Sequence, residues 1–418
     1  MTLLPLQLSQ LRNATLADGS TCDVELIDDV VRGVRPSEGR PNEVGSTELD
    51  LTGFMLLPAA AEPHAHLDKA LTWDRINPPA GDLEQAISSW QAYSLGMTVE
   101  SIAARARTQA LTMLRNGTTA IRCHVDILLG PEPLRGVQAL VQVREELAEL
   151  IDIELVALAG WQATDASIEA ALDLGVDLVG GAPHLAPNPS ADLRRLVAIA
   201  ERRGVGMDLH TDESLTSDPT IIEYARLVRG WQHPVSAGHC VRLGTLEIAE
   251  LDEVITEILA SNIGIISLPI TNLYLQGWEA PVATPRGLAP IQALLDAGVR
   301  VGAGADNVRD PFNPVGRSDA LETASLLVTA AHLSLEDAWA TVSSGARSVM
   351  SLPPAGVGAG VSVGSRAELL AVRGASLSEA IANAPADRFV IHAGRLVSRS
   401  HVITDMAIPE TLSLVEMR

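Results

Sequence analysis

The chain has 418 residues and a formal net charge of −22, with 47% hydrophobic and 20% charged residues. This proportion of hydrophobic to charged residues is typical of a folded protein with a large core and excludes a disordered chain. The excess of acidic residues argues against a nucleic-acid or anionic-membrane partner. The three cysteines, Cys22, Cys123 and Cys240, are too few and too scattered for a disulfide framework or a cysteine zinc site.

The sequence carries no signal-peptide pattern and no uninterrupted apolar run of about 18 residues. We therefore expect a cytoplasmic protein without a membrane partner. The oligomeric state is left open, and a homo-oligomer fits the sequence as well as a monomer.

Short apolar runs alternate with longer amphipathic stretches from about residue 56 to residue 306. The runs predict eight strands, at 56–62, 120–125, 153–159, 178–181, 206–209, 235–237, 264–268 and 301–305. Predicted helices lie between them, at 101–114, 134–150, 191–202, 246–259 and 288–295. Eight strand–helix units predict an α/β fold, a (β/α)8 barrel of the triosephosphate isomerase (TIM) type. A doubly wound open sheet is the alternative, disfavoured because no Gly-x-Gly-x-x-Gly turn follows the first strand.

The two chain ends have a different pattern, with short alternating segments and turn residues. Residues 388–397 predict a hairpin that turns at Ala393-Gly394. Neither end is long enough for its own core. We therefore expect residues 1–57 and 363–418 to form one small β-sandwich domain together, and residues 58–362 to form the barrel.

Polar residues follow each predicted barrel strand, where barrels of this type place their working groups. Six of the ten histidines lie at these strand ends. In chain order the residues are His64, His66, His124, Asp126, Gln162, His184, His210, Glu213, His239, Asn272, Gln276, Asp306 and Asn307.

A metal site is the chemistry that this pattern favours. His64 and His66 are two residues apart in an extended segment, so their side chains point the same way. Together with His210 and Asp306 they offer three neutral imidazoles and one carboxylate, which suits a divalent metal. Such a metal supplies hydroxide near neutral pH. Taken singly, the histidine pair could be a core pair and Asp306 a helix cap.

Two further residues are candidates for proton transfer. Glu213 comes three residues after His210, close enough to serve as a proton shuttle without binding the metal; the alternative is an acid at a helix N-terminus. His239 is predicted to orient the hydroxide or to stabilise charge on the substrate. Its alternative is a hydrogen-bonded core histidine.

Several motifs together resemble the amidohydrolase superfamily and, within it, the cytosine deaminase branch. They are Glu62-Pro63-His64-Ala65-His66-Leu67-Asp68, Arg122-Cys123-His124-Val125-Asp126, Pro183-His184, His210-Thr211-Asp212-Glu213, Gly238-His239, Asn272-Leu273-Tyr274-Leu275-Gln276-Gly277 and Asp306-Asn307-Val308-Arg309-Asp310-Pro311.

The resemblance implies metal ligation by His64, His66, His210 and Asp306, catalytic roles for Glu213 and His239, and a substrate contact by Gln162. We also expect His184 and Asn307 to contact the substrate. Pro183-His184 occupies the place of the carboxylated lysine of two-metal relatives, so one metal ion is predicted. Zinc or iron is expected, and manganese is a further option.

The implied reaction is hydrolytic deamination of an amino-substituted pyrimidine ring, such as that of cytosine. Metal hydroxide attacks the ring carbon, Asp306 accepts the water proton, Glu213 protonates a ring nitrogen, and ammonia leaves. Asn307 and Lys69 instead look like those of the N-isopropylammelide isopropylamidohydrolases. Removal of a substituted amine from a triazine, or cleavage of another cyclic C–N bond, is therefore the alternative. A non-catalytic binding protein on the same barrel is a third reading. Lys69 and His124 receive no role.

Overall fold

The computed structural model describes residues 5–39 and 47–406. Its strands are β1 (Leu6–Gln7), β2 (Gln10–Thr15), β3 (Thr21–Ile27), β4 (Val30–Pro36), β5 (Glu48–Asp50), β6 (Phe54–Pro58), β7 (Ala60–Ala65), β8 (Thr118–Asp126), β9 (Asp152–Ala159), β10 (Leu178–Gly181), β11 (Gly206–Thr211), β12 (Val235–His239), β13 (Gly264–Ser267), β14 (Val301–Ala303), β15 (Leu369–Arg373), β16 (Arg388–His392) and β17 (Arg395–Ser400). Its α-helices are α1 (Trp73–Ile76), α2 (Leu83–Ser94), α3 (Val99–Arg115), α4 (Arg135–Leu147), α5 (Asp165–Asp173), α6 (Pro189–Arg203), α7 (Ile221–Leu227), α8 (Ile248–Ser261), α9 (Pro269–Leu275), α10 (Ile291–Asp296), α11 (Ala320–Ala331), α12 (Leu335–Ala340), α13 (Ala346–Val349) and α14 (Leu377–Asn383).

Eight parallel strands form the barrel, in the order β14-β13-β12-β11-β10-β9-β8-β7. The first and last of these strands meet through a parallel bridge between Ala65 and Asp306. The predicted TIM-type barrel is confirmed. The mostly apolar strands are buried nearly throughout, as expected for a parallel sheet that is covered by helices.

The first predicted strand, 56–62, is wrong in its extent. The chain forms two strands there, because β6 ends at Pro58 in the small sheet and β7 begins at Ala60 in the barrel. Every residue of both strands is buried. Because both halves of the run are apolar and buried, the sequence does not indicate that they belong to different sheets.

Helix α6 begins and ends at signals in the sequence. In α6, the Asn188 side chain accepts a hydrogen bond from the Ala191 N–H, Pro189 occupies the first turn, and the helix ends at Gly204 with a φ of 65°. Each feature satisfies or avoids an unpaired backbone group at a helix end. The buried face of the helix, which includes Leu193 and Leu196, packs into the core.

The second sheet unites the two chain ends and has nine strands, in the order β1-β17-β16-β15-β6-β2-β3-β4, with β5 beside β2. Its strands share one apolar cluster with members from both ends, among them Leu11, Val24, Leu369 and Ile391. The small β domain from both chain ends is thereby confirmed. The parts of its predicted range at 1–4, 40–46 and 407–418 lie outside the described residues.

The predicted hairpin is also present. Strands β16 and β17 pair antiparallel, and the turn residues Ala393 and Gly394 have φ values of 49° and 73°. Two successive left-handed residues are the turn geometry that matches the twist of a two-residue hairpin.

A buried ionic network joins the small sheet to the barrel. The Glu368 carboxylate lies 2.9 Å from His392 Nδ1, 3.0 Å from Arg366 Nε and 3.4 Å from Arg347 Nη2. Arg366 also donates to Asp152, the first residue of β9, at 2.8 Å. Burial raises the pKa of Glu368, but the hydrogen bond from His392 and the charge of Arg347 outweigh it and hold the pKa below its usual value.

Among the described residues, none of the helices combines the length and the apolar character that crossing a bilayer requires.

Candidate active site

Three strands bring the predicted metal ligands together at the carboxyl ends of the barrel strands. His64 lies on β7 and His66 directly follows it, His210 lies on β11, and Asp306 lies three residues beyond β14. All four side chains are buried. Parallel strands end at the same face of a barrel, so residues far apart in sequence become neighbours here.

The four side chains have the spacing of ligands around one ion. His210 Nε2 lies 3.2 Å from the Nε2 atoms of both His64 and His66. Asp306 Oδ1 lies 3.2 Å from His66 Nε2 and 3.8 Å from His64 Nε2. Tetrahedral zinc ligands at their usual bond lengths are about 3.3 Å apart, so the set matches this geometry.

The charge state of the set also fits a cation. Burial lowers the pKa of His64, His66 and His210 well below the usual value, which keeps the imidazoles in the neutral form that binds metal. Burial raises the pKa of Asp306 well above its usual value, and neither of its oxygens has a hydrogen-bond partner in the described part of the chain. Its ionised form therefore needs a nearby cation. The residues present fit one divalent metal ion.

Beneath the ligands lies a buried layer that the sequence did not explain. The His124 ring packs on the His64 ring with centroids 4.0 Å apart, and His124 Nε2 lies 3.7 Å from Asp208 Oδ2. The same Asp208 oxygen accepts a 2.7 Å hydrogen bond from Arg122 Nη1. The His124 ring thus lies between the His64 ring and the Arg122–Asp208 ion pair and supports His64.

Gly238 is a second supporting residue, and this role was not predicted although Gly238-His239 is one of the motifs. A Cβ at this position would lie 2.9 Å from the Nδ1 and Cε1 atoms of His64, closer than real Cβ contacts. The glycine directly before His239 was its only signal in the sequence.

Lys69 lies behind His66, on the side away from His210. Its Nζ is 3.0 Å from His66 Nδ1 and donates to Asp126 Oδ1 at 2.8 Å. Burial lowers the pKa of Lys69, but the charges of Asp126 and Asp68 outweigh it and raise the pKa above its usual value. The amine is therefore a charged ammonium. Lys69 contacts the candidate ligand His66 but is not itself one of the four candidate ligands.

Glu213 is placed between two histidines next to the ligands. Its Oε1 lies 3.4 Å from His239 Nδ1, and its Oε2 lies 3.8 Å from His184 Nε2. Burial raises the pKa of Glu213 to about 8. Burial therefore favours the protonated carboxyl group at neutral pH, and it keeps both neighbouring histidines neutral because it lowers the pKa of each.

Hydrogen bonds from neighbouring elements orient these groups. Asn272 Nδ2, on α9, donates to His239 Nδ1 at 2.9 Å, which leaves the proton of the neutral ring on Nε2. Gln276 Nε2 donates to the Glu213 carbonyl at 2.5 Å. His184 Nδ1 lies 3.2 Å from the His210 carbonyl, so its Nε2 is the free acceptor. Sequence reasoning gave Asn272 and Gln276 no role.

The remaining two candidates are not part of this buried group of side chains. Gln162 is exposed in the loop after β9. Asn307 is buried, but its Nδ2 donates to Asp310 Oδ2 at 2.8 Å and so holds the loop after β14. Their contacts with a substrate stay predictions.

Comparison with known proteins agrees with this architecture. Residues 80–399 match the amidohydrolase family. Pterin deaminase from Rhizobium rhizogenes is 28% identical over 393 residues, which cover 90% of this chain and 88% of that protein. N-isopropylammelide isopropyl amidohydrolase from Pseudomonas sp. strain ADP is 26% identical over 419 residues, covering 94% of this chain and 98% of that one.

A solved structure has the same fold over nearly its whole length. The 5-methylcytosine deaminase of Klebsiella pneumoniae superposes with a TM-score of 0.83 at 25% identity and covers 95% of this chain and 100% of that chain. The family match spans well over half of the sequence. The chain therefore belongs to the amidohydrolase family and is a hydrolase that acts on C–N bonds.

Proposed function

We propose that this protein is a one-metal hydrolytic deaminase that replaces an amino group on a pyrimidine-type ring with oxygen and releases ammonia. The observation that carries the proposal is the placement of Glu213. It is a buried carboxyl group with a pKa of about 8, beside four side chains with the spacing of metal ligands. A protonated acid next to a site that activates water is the combination that deamination requires.

In this proposal His64, His66, His210 and Asp306 hold the metal. When bound, a divalent metal would lower the pKa of a coordinated water and so supply a nucleophile near neutral pH. Asp306 accepts the proton that the attacking water loses, because neither of its oxygens has a hydrogen-bond partner among the described residues. Water adds its oxygen to the ring carbon that carries the amine.

Glu213 supplies the proton that this addition calls for. It protonates the ring nitrogen next to the attacked carbon. The C–N bond to the amine then breaks as the proton held by Asp306 goes to the departing amine, and the added hydroxyl group returns its proton to Glu213 as the C=O bond forms. One water is thus consumed for each ammonia released. His239 presents its Nε2–H, which is buried and without a partner in the described part of the chain, to the reacting oxygen. His184 Nε2 lies 3.8 Å from the Glu213 carboxyl group, beyond hydrogen-bond distance, and His184 is proposed to contact the substrate.

The ring is the part of the proposal that rests on relatives. The names of two of them, a pterin deaminase and a 5-methylcytosine deaminase, denote removal of an amino group from rings that contain an aminopyrimidinone. A shared aminopyrimidinone is therefore the substrate unit that we propose. Gln162 is proposed to pair with the ring edge, since an amide donates and accepts at once.

Removal of a substituted amine from a triazine is the second candidate. It is supported by Lys69 at His66, by Asn307 after Asp306, and by the 26% identity to an N-isopropylammelide isopropyl amidohydrolase over almost the full length of both chains.

A product screen tests both candidates. Purified protein is analysed for bound metal and incubated with cytosine, 5-methylcytosine, pterin and N-isopropylammelide, and ammonia and isopropylamine are measured separately. Ammonia from an aminopyrimidinone supports the first candidate, and isopropylamine supports the second. Loss of turnover on chelation and its return with zinc, iron or manganese would support the metal assignment.

Glu213→Gln tests the proton shuttle. We expect turnover to fall by roughly 10²–10⁴-fold, the usual contribution of general acid–base catalysis, while metal content stays the same. Glu145→Gln is the matched control, because Glu145 is exposed on α4. Turnover within about tenfold of the unsubstituted protein would contradict the role of Glu213.

A further inference from the structure

Glu62 is a buried acid on β7, and no step of the proposed reaction uses it. It lies on β7, two residues before His64, and is 6% exposed. A carboxyl group is almost never buried to this extent unless its oxygens are satisfied. The partners of Glu62 therefore indicate what it does.

One partner is the backbone amide of a candidate metal ligand, and the other is the amide of the residue directly before another candidate ligand. Glu62 Oε2 accepts a 2.9 Å hydrogen bond from the Ala305 N–H, directly before Asp306. Glu62 Oε1 accepts a 3.3 Å hydrogen bond from the His64 N–H. One carboxyl group thus connects the backbone of the first barrel strand to the segment after the last.

This connection lies where the barrel ladder is weakest. Strand β14 is three residues long, and β7 and β14 are the two ends of the parallel sheet, joined among the described residues by the Ala65–Asp306 bridge. The pairing of β7 with β8 also shifts between Glu62 and Ala65. A bulge of this kind re-aims side chains and leaves amides without a ladder partner.

The local sequence leaves space for the carboxyl group. A Cβ on Gly304 would lie 1.8 Å from Glu62 Oε1, so glycine is required for the carboxyl group to reach the last strand. Because His64 and Asp306 stand on opposite sides of this junction, their separation depends on how the junction is held.

We infer that Glu62 is a positioning residue for the metal ligands, whose carboxyl group clamps β7 to the segment after β14 and thereby sets the distance between His64 and Asp306. The inference rests on the proposed metal site. It assigns to Glu62 no contact with the metal or with the substrate.

Cobalt titration tests the inference without measuring turnover. Co²⁺ is titrated into metal-free protein, and its dissociation constant and visible absorption spectrum are recorded for the unsubstituted chain, Glu62→Gln and Glu62→Asp. Gln puts an NH2 group against one of the two amides, whereas Asp keeps both oxygens but is about 1.5 Å too short to reach both. Each variant should bind Co²⁺ roughly 10- to 100-fold more weakly, the usual effect of losing an outer support of a metal ligand, with an altered spectrum.

Ile168→Val is the control, because Ile168 is a fully buried residue of α5 whose shortening perturbs the core alone. It should leave Co²⁺ affinity and spectrum unchanged. If the unsubstituted chain binds Co²⁺ and either folded Glu62 variant binds it within threefold and with the same spectrum, the positioning role is wrong and the metal site stands. If the unsubstituted chain binds no Co²⁺, both the metal site and the inference fail.

Discussion

Replacing Gly304 by alanine should destabilise the protein strongly, although the backbone conformation there permits alanine. The added Cβ would lie 1.8 Å from Glu62 Oε1, 2.9 Å from Glu62 Cδ and 3.1 Å from Pro63 Cδ. Real Cβ contacts are essentially never shorter than 3.0 Å, so the carboxyl oxygen has to move by more than an ångström. Pro63 restricts the backbone on the other side and limits how far the strand can give way.

The cost follows from the hydrogen bonds that this movement breaks. The Ala305 and His64 amides, at 2.9 and 3.3 Å from the Glu62 carboxyl group, would both lose their acceptor in a buried place. A buried donor without a partner costs about 1–3 kcal/mol, so Gly304→Ala should lower the free energy of unfolding by about 2–6 kcal/mol.

Urea unfolding followed by circular dichroism measures this difference. Gly160→Ala is the matched control, because no atom lies within 4 Å of a Cβ built there and its φ is not left-handed. The control should stay within about 0.5 kcal/mol of the unsubstituted protein. The reasoning is refuted if Gly304→Ala is as stable as Gly160→Ala.

Two further predictions concern the ionic networks. Arg122→Met should lower the free energy of unfolding by about 3–5 kcal/mol, because Asp208 would keep a buried charge without its cation. Adding Asp208→Asn to this variant should restore part of the lost stability, as measured by chemical denaturation. A further loss of stability in the double variant would contradict the explanation. The pKa of Glu368 is lowered in the folded protein, so its stabilising contribution is complete above the unfolded pKa of about 4.3 and is lost as the pH falls through the folded value. Unfolding measured from pH 7 to pH 3 should therefore show a shallower loss of stability for Glu368→Gln than for the unsubstituted protein, and identical slopes would rule out this linkage.

The grouping of the four candidate metal ligands could be predicted from the sequence because each follows a local pattern. His64 and His66 share one face of a strand, and His210 and Asp306 follow recognisable apolar runs. In a parallel barrel all such strand ends meet at one face, so order along the chain suffices to bring the four side chains together.

The supporting residues could not be predicted in the same way. Glu62 stands among buried apolar residues, and its partner at Ala305 is 243 positions away. Gly238 is needed because the His64 ring packs against it, which depends on how two strands from distant parts of the chain are placed across the barrel. Gln162 is a suitable substrate contact by residue type, yet the loop after β9 leaves it exposed.

The sequence by itself determined the eight strand–helix units and the union of the chain ends in a small β domain, and it pointed to the four candidate metal ligands. These features depend on periodicity and residue type within short segments. Only the tertiary structure decided that the run at 56–62 is divided between two sheets and that Lys69 lies behind His66. It also decided that Glu62 links the first and last barrel strands, because closing the barrel determines which distant backbone groups are left without a ladder partner.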